Sequence, residues 1–147
     1  MQELIYGDEL ELGVERDLGS HTVTEEELLD FGRRWDPLPF HTQPDVAEQG
    51  PFGGLITSGV HTVAILQKLA VEAEYSRWAI LAGREIRAVK LLRPVRVGDT
   101  LTGRLTPVSR TVLDRGRVDI LIEAHLRNQE GKDVLSIDIE IVLLARP

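Results

Sequence analysis

The hydrophobic positions of this chain change period near residue 80: before it they recur every three or four residues, and after it they alternate. Thr24 and Glu27 form a capping-box pair at the head of a short helix, with Leu28, Phe31 and Trp35 on one stripe. Core packing is the expectation for Trp35. Pro37 and Pro39 stop that helix and force an extended or turning path. Pro44 can open another brief helical turn over Asp45 to Glu48. A longer helix then starts at a Thr57 or Ser58 cap and runs to about Tyr75. Its Val60, Val63, Ala64, Ile65, Leu66, Leu69, Ala70 and Ala73 make so broad an apolar surface that other structure is expected to wrap it.

Beyond residue 80, Ile86 and Ala88 belong to one strand that ends near Arg93-Pro94. Pro94 to Asp99 reads as a turn into a strand over residues 100–105. Val118, Ile120, Ile122, Ala124 and Leu126 alternate with polar residues, as do Leu135, Ile137, Ile139, Ile141 and Leu143. Asn128-Gln129-Glu130-Gly131 joins these two runs as a hairpin. An earlier strand covers Glu15 to Val23. About five antiparallel strands and one buried helix make an α+β layout, one domain over residues 1–147, with the sheet curled around the helix.

Composition narrows the function classes. A net charge of -7 argues against a nucleic-acid partner. No apolar run approaches the roughly 20 residues needed to span a bilayer, so no membrane partner is expected. The start of the chain lacks the basic and apolar regions of an export signal, and a cytoplasmic location is the expectation. With no cysteines and four scattered histidines, neither a disulfide nor a metal site is expected. Charge is nevertheless uneven: Arg84, Arg87, Lys90, Arg93 and Arg96 oppose only Glu85 between residues 84 and 96. Such a basic island can hold phosphate groups, or simply be a solvated sheet face.

The candidate chemistry lies between the two helices. Asp36 and His41 stand five positions apart in a proline-stiffened loop, and the small residues Thr57-Ser58-Gly59 open the long helix soon afterwards. A carboxylate and an imidazole can move protons, and a helix N-terminus can hold an oxyanion. Asp36 as a plain turn-former and His41 as a satisfied loop histidine are the simpler readings. His61, just inside the helix, reads as a core or interface histidine, and His21 and His125 as surface strand residues.

Three stretches carry a resemblance to a known family. They are Asp36-Pro37-Leu38-Pro39-Phe40-His41, Phe52-Gly53-Gly54-Leu55-Ile56-Thr57-Ser58-Gly59, and Val89-Lys90-Leu91-Leu92-Arg93-Pro94-Val95-Arg96-Val97-Gly98-Asp99. In this order and spacing they resemble MaoC-type dehydratases, the (R)-specific enoyl-CoA hydratase branch of the hot-dog fold, from about residue 10 to the C-terminus. The resemblance implies an antiparallel curved sheet wrapped around a long central helix. It also implies a lyase that adds water reversibly across the C2–C3 double bond of a trans-2-enoyl thioester. Asp36 and His41 would be the catalytic dyad, and the Gly59 N–H would polarise the thioester carbonyl. Ser58, Gly54 and Phe40 would be further oxyanion or substrate contacts.

Arg84, Arg87, Lys90 and Arg93 are candidates for the phosphates of coenzyme A. No cofactor is expected beyond the coenzyme A or phosphopantetheine group that the substrate carries. An exposed sheet edge implies a homodimer or higher homo-oligomer. Two departures stand out: Leu38 where the family loop usually has Asn, and Gln67 where some hydratases have a helix serine. They keep two alternatives open, a hot-dog acyl-CoA thioesterase and a non-catalytic subunit that binds acyl thioesters.

Overall fold

In chain order, a computed structural model describing residues 2–147 places β1 (Arg16–Thr22), α1 (Glu25–Trp35), α2 (Pro39–Thr42), α3 (Pro44–Gln49) and α4 (Gly59–Ala73). A single 3-10 turn (Tyr75–Arg77) then leads into β2 (Ile80–Leu91), β3 (Thr100–Val112), β4 (Arg117–Arg127) and β5 (Asp133–Leu144). The strands form one antiparallel sheet in the order β1-β3-β4-β5-β2. This is the α+β hot-dog arrangement expected from the sequence.

Alternation drives the sheet. Val118, Ile120, Ile122 and Leu126 of β4 and Leu135, Ile137 and Leu143 of β5 are fully or almost fully buried, while their neighbours in sequence turn to the other face. Ile120 pairs with Ile141 and Ile122 with Ile139, so the two apolar rows meet across the ladder. Ile65, Leu66, Leu69 and Ala70 of α4 complete the core from the concave side. The Thr24 cap forms as expected, its hydroxyl accepting from the Glu27 N–H.

Four expectations change. Trp35 is not in the core: it is 73% exposed, because it ends α1 beyond the stripe that Leu28 anchors. Pro39 does not merely break structure but starts α2, where a missing N–H costs nothing. β3 continues well past residue 105, with Pro107 accommodated at a register shift between it and Ser109. Finally, α4 is wrapped on one side only. It packs towards β1 and β3, leaving Val60, Ala64, Gln67 and Val71 exposed and β2 at the far edge.

The position of β2 also explains why Ile86 and Ala88 are not buried. The strand lies on the open edge, and its register against β5 shifts three times along its length. At the last shift, between Arg87 and Lys90, Ala88 takes a φ of 51°, the local kink of a bulge. Between this edge and α4 runs a groove of about 700 Å³, walled by Val60, Val63, Ala64, Ile86, Ile139 and Ile141.

Two substitutions test this partition of the core. Ile122→Ala should lower the unfolding free energy by about 2–5 kcal/mol in urea titrations, whereas Trp35→Ala should change it by less than about 0.5 kcal/mol.

Candidate active site

Asp36 is the C-cap residue of α1, held there by its N–H to the Gly32 carbonyl at 2.9 Å. The chain then turns sharply, with the Leu38 N–H bonded to the Asp36 carbonyl at 2.9 Å. The Leu38 carbonyl in turn accepts from the His41 N–H at 2.9 Å and the Thr42 hydroxyl at 3.1 Å. The loop is thus braced through the backbone of residue 38, whose own side chain is half exposed. Close packing brings His41 back against α1. A Cβ on Gly32 would sit 2.6 Å from the His41 carbonyl oxygen, so only glycine lets the helix approach this closely.

His41 is only 4% exposed, and its ring has a defined role. Nδ1 lies 2.7 Å from the Ile56 carbonyl oxygen. A carbonyl can only accept, so the proton resides on Nδ1 and Nε2 is left with a lone pair in the neutral ring. Nε2 faces Asp36 Oδ2 at 3.4 Å. Phe40 packs edge-on against the imidazole, with ring centroids 4.5 Å apart. The segment carrying Ile56 is itself pinned, by the Ile56 N–H to the Phe40 carbonyl at 3.2 Å and the Thr57 N–H to the Val95 carbonyl at 2.9 Å.

The mouth of α4 opens beside this pair. The first helical amide to reach a backbone acceptor is that of Thr62, 3.1 Å from the Ser58 carbonyl. Ser58 occupies the cap position but makes no side-chain cap. The amides of Gly59, Val60 and His61 therefore lack the usual cap, at the positive end of the helix dipole. Instead, the Ser58 hydroxyl donates to Asp36 Oδ2 at 2.8 Å. Thr57 and Thr62 link their hydroxyls at 2.8 Å within the helix mouth. A Cβ on Gly59 would come within 2.4 Å of Leu91 Cδ1, so the missing side chain lets β2 close over the helix start.

His41, Thr57 and Gly59 line a crevice of about 280 Å³ together with Phe52, Leu91 and Arg93, and Asp36 and Ser58 join it through their contacts with one another and with His41. Asp36, His41, Ser58 and Gly59 are thus gathered in one place, as their spacing led one to expect. Phe40 supports His41 from behind. Gly54 lies apart, in a separate depression with Arg96 and Val97.

The basic island is divided. Arg84 pairs with Asp119 at 3.2 Å, and Arg87 pairs with both Glu85 and Glu140 at 2.9 Å, at the end of β2 remote from the crevice. Only Arg93 of the island lines the crevice, with its guanidinium donating to the Asp133 carbonyl at 2.6 Å. Lys90 makes no ion pair among the described residues. No group of three side chains suited to hold a metal ion occurs among the described residues.

Sequence reading missed the Ile56 carbonyl, the Ser58–Asp36 bond and the Gly32 contact. None has a signature along the chain; each arises where separate segments meet, nine positions apart for Gly32 and His41, fifteen for His41 and Ile56, and twenty-two for Asp36 and Ser58. His21 is also less exposed than expected, its Nε2 lying 2.6 Å from Glu27 Oε1. His61 is buried as expected and stacks on Phe31 with centroids 4.6 Å apart.

Burial holds His61 below the ordinary imidazole range, and the positive charges of His21 and His41 would push the same way. Glu27, 3.6 Å away, is the main opposing influence, larger than that of either histidine, but it does not offset the burial. A lowered folded value means the unfolded chain takes up the proton first. Stability is then full above the unfolded value and is lost on acidification. Urea titrations should show wild-type stability declining as the pH falls from about 6.5, with a shallower decline in His61→Gln.

Comparison with known proteins follows the same lines. Residues 11–125 match the family model described as a MaoC like domain. The chain is 32% identical over 94 residues to the protein YdeM of Bacillus subtilis, covering 64% of this chain and 67% of that one. Among solved structures it is similar to a monoamine oxidase regulatory protein of Archaeoglobus fulgius. That match has a TM-score of 0.91 and 25% identity, over 99% of this chain and 98% of the other. It is also similar to a MaoC-like dehydratase of Rhodospirillum rubrum, with a TM-score of 0.85 and 27% identity, over 97% and 99% of the two chains.

Proposed function

We propose that this chain, which belongs to the MaoC-like family, is a hydratase that adds water reversibly across the C2–C3 double bond of a trans-2-enoyl thioester. The observation that carries this reading is the approach of Asp36 to His41 beside the uncapped start of α4, where His41 and Gly59 line one crevice. With its proton on Nδ1, His41 presents a lone pair at Nε2, and the Asp36 carboxylate presents another 3.4 Å away. Two acceptors cannot bond one another, but a water donating one hydrogen to each satisfies both. Its own lone pair is then free to attack C3.

As the C3–O bond forms, the π electrons move through C2 onto the thioester oxygen. The Gly59 amide, aided by the α4 dipole, stabilises that enolate oxygen. The Asp36–His41 pair takes one proton from the water, and C2 receives one from the pair when the enolate collapses. The hydrated product is the 3-hydroxyacyl thioester, and the reverse course is dehydration. Positioned acid/base groups typically supply a factor of about 100 to 10,000, and a backbone oxyanion donor about 3 to 4 kcal/mol.

The apolar groove begins at Val60, one residue along α4 from the Gly59 that lines the crevice, and suits the hydrocarbon part of the acyl chain. Arg93, at the crevice, is the best placed of the basic candidates for the coenzyme phosphates, since Arg84 and Arg87 are engaged with carboxylates. The unpaired edge of β2, rich in exposed Leu81, Ile86, Val89 and Leu91, favours pairing with a second copy.

Hydration of a panel of short- to long-chain trans-2-enoyl-CoAs, followed at the enoyl-thioester absorbance band, tests the reaction. Asp36→Asn and His41→Ala should each lower kcat by about 100-fold or more; turnover indifferent to both substitutions would refute the dyad. Release of free thiol, without loss of the double bond, would instead identify a thioesterase. Sedimentation should give a dimer that Ile86→Lys weakens, and a stable wild-type monomer would refute the assembly.

A further inference from the structure

We infer that Ser58 is a positioning residue, whose hydroxyl is diverted from capping α4 to hold the Asp36 carboxylate against His41; the inference rests on the hydratase reading above. A serine at this position ordinarily accepts a hydrogen bond from an amide in the first helical turn. Ser58 makes no such bond, although it is only 2% exposed. Its one proton goes to Asp36 Oδ2 at 2.8 Å. The same arrangement leaves the helix amides open, so one side chain serves two ends: it orients the carboxylate and leaves the oxyanion donors unoccupied.

Asp36 has need of such an anchor. It ends α1, where the helix dipole is negative and disfavours a carboxylate. Arg34, the nearest cation in sequence along the helix, is engaged with Asp30 at 3.0 Å. Among the described residues no lysine or arginine pairs with Asp36, and its side chain is 29% exposed, enough to let it rotate towards solvent. Turned outward, it would leave His41 to hold the water alone. The Ser58 hydroxyl, 22 positions away, is the hydrogen-bond donor that keeps Oδ2 on the inner side. The Thr57–Thr62 pair backs the helix mouth from the other side and does not touch Asp36.

Ser58→Ala tests this in three measurements on the full chain. In its crystal structure the Asp36 carboxylate should leave His41 or spread over several rotamers. With the best enoyl-CoA of the panel, kcat should fall about 10- to 100-fold while KM stays within about twofold. Because no cap is lost, Tm should stay within about 3 °C of wild type. Ser58→Thr, which keeps the hydroxyl, should recover most of kcat. A Ser58→Ala protein whose Asp36 still faces His41 and whose kcat is unchanged overturns the inference. So does a large fall in Tm with Asp36 unmoved, which would make Ser58 a residue of the fold alone. If the wild type hydrates no enoyl thioester, the hydratase reading fails, while the crystal structure still decides whether Ser58 holds the carboxylate.

Discussion

The crevice depends on a buried hydrogen bond from His41 Nδ1 to the Ile56 carbonyl, 2.7 Å long. It sets the ring's orientation and tautomer together, because the carbonyl leaves only Nδ1 as the donor. Its low-dielectric setting strengthens the bond, and breaking it would strand a buried acceptor. It also joins three parts of the chain. His41 is pressed against α1 where Gly32 has no side chain, and residues 56 and 57 are bonded to Phe40 and to Val95. The loop, the helix mouth and the turn after β2 therefore form one unit. Movement of any of them would change the distance between the imidazole and Asp36.

A second constraint is the lateral offset of α4 on its sheet. The helix covers β1 and β3 and leaves the β2 side open, creating an apolar groove that a centred helix would have filled. The resulting protomer carries exposed Val60, Ile86 and Leu91 beside an unpaired strand edge. Such exposure is costly in water, and it coincides with the place where a hydrocarbon chain and a second subunit would be accommodated. On the same strand, Arg84 and Arg87 are neutralised by Asp119 and Glu140, and Arg84 stands at the groove. The basic run in sequence is thus divided, with Arg84 and Arg87 paired on the sheet, and Arg93 alone of it reaches the crevice lining.

Most of the fold was legible from periodicity. β4, β5 and α4 bury long regular stripes, and such stripes admit few alternatives. The errors fell where local pattern and burial part company. Trp35 completes a helical stripe yet lies beyond the point where anything covers α1. Ile86 and Ala88 do lie in one strand as expected, though at a bulged edge that leaves them exposed. Proline at 39 signals a break and also suits the first turn of a short helix. Of the candidate site, residue type and order singled out Asp36, His41, Ser58 and Gly59, which the fold brings together, while Gly54 lies in another depression.

Residue order alone settled which chemical groups this protein can bring to bear: one carboxylate and one imidazole on a stiff loop, and a small-residue helix start close behind. It also settled the curled sheet and the apolar rod it holds, since hydrophobic period is a local property of the chain. Three-dimensional packing decided everything that depends on contacts between distant segments. Which nitrogen of His41 carries the proton follows from a carbonyl fifteen residues away. That Ser58 serves Asp36 rather than its own helix follows from a bond spanning twenty-two. Such contacts leave no periodic trace, because they are fixed by where elements dock and not by how each is built.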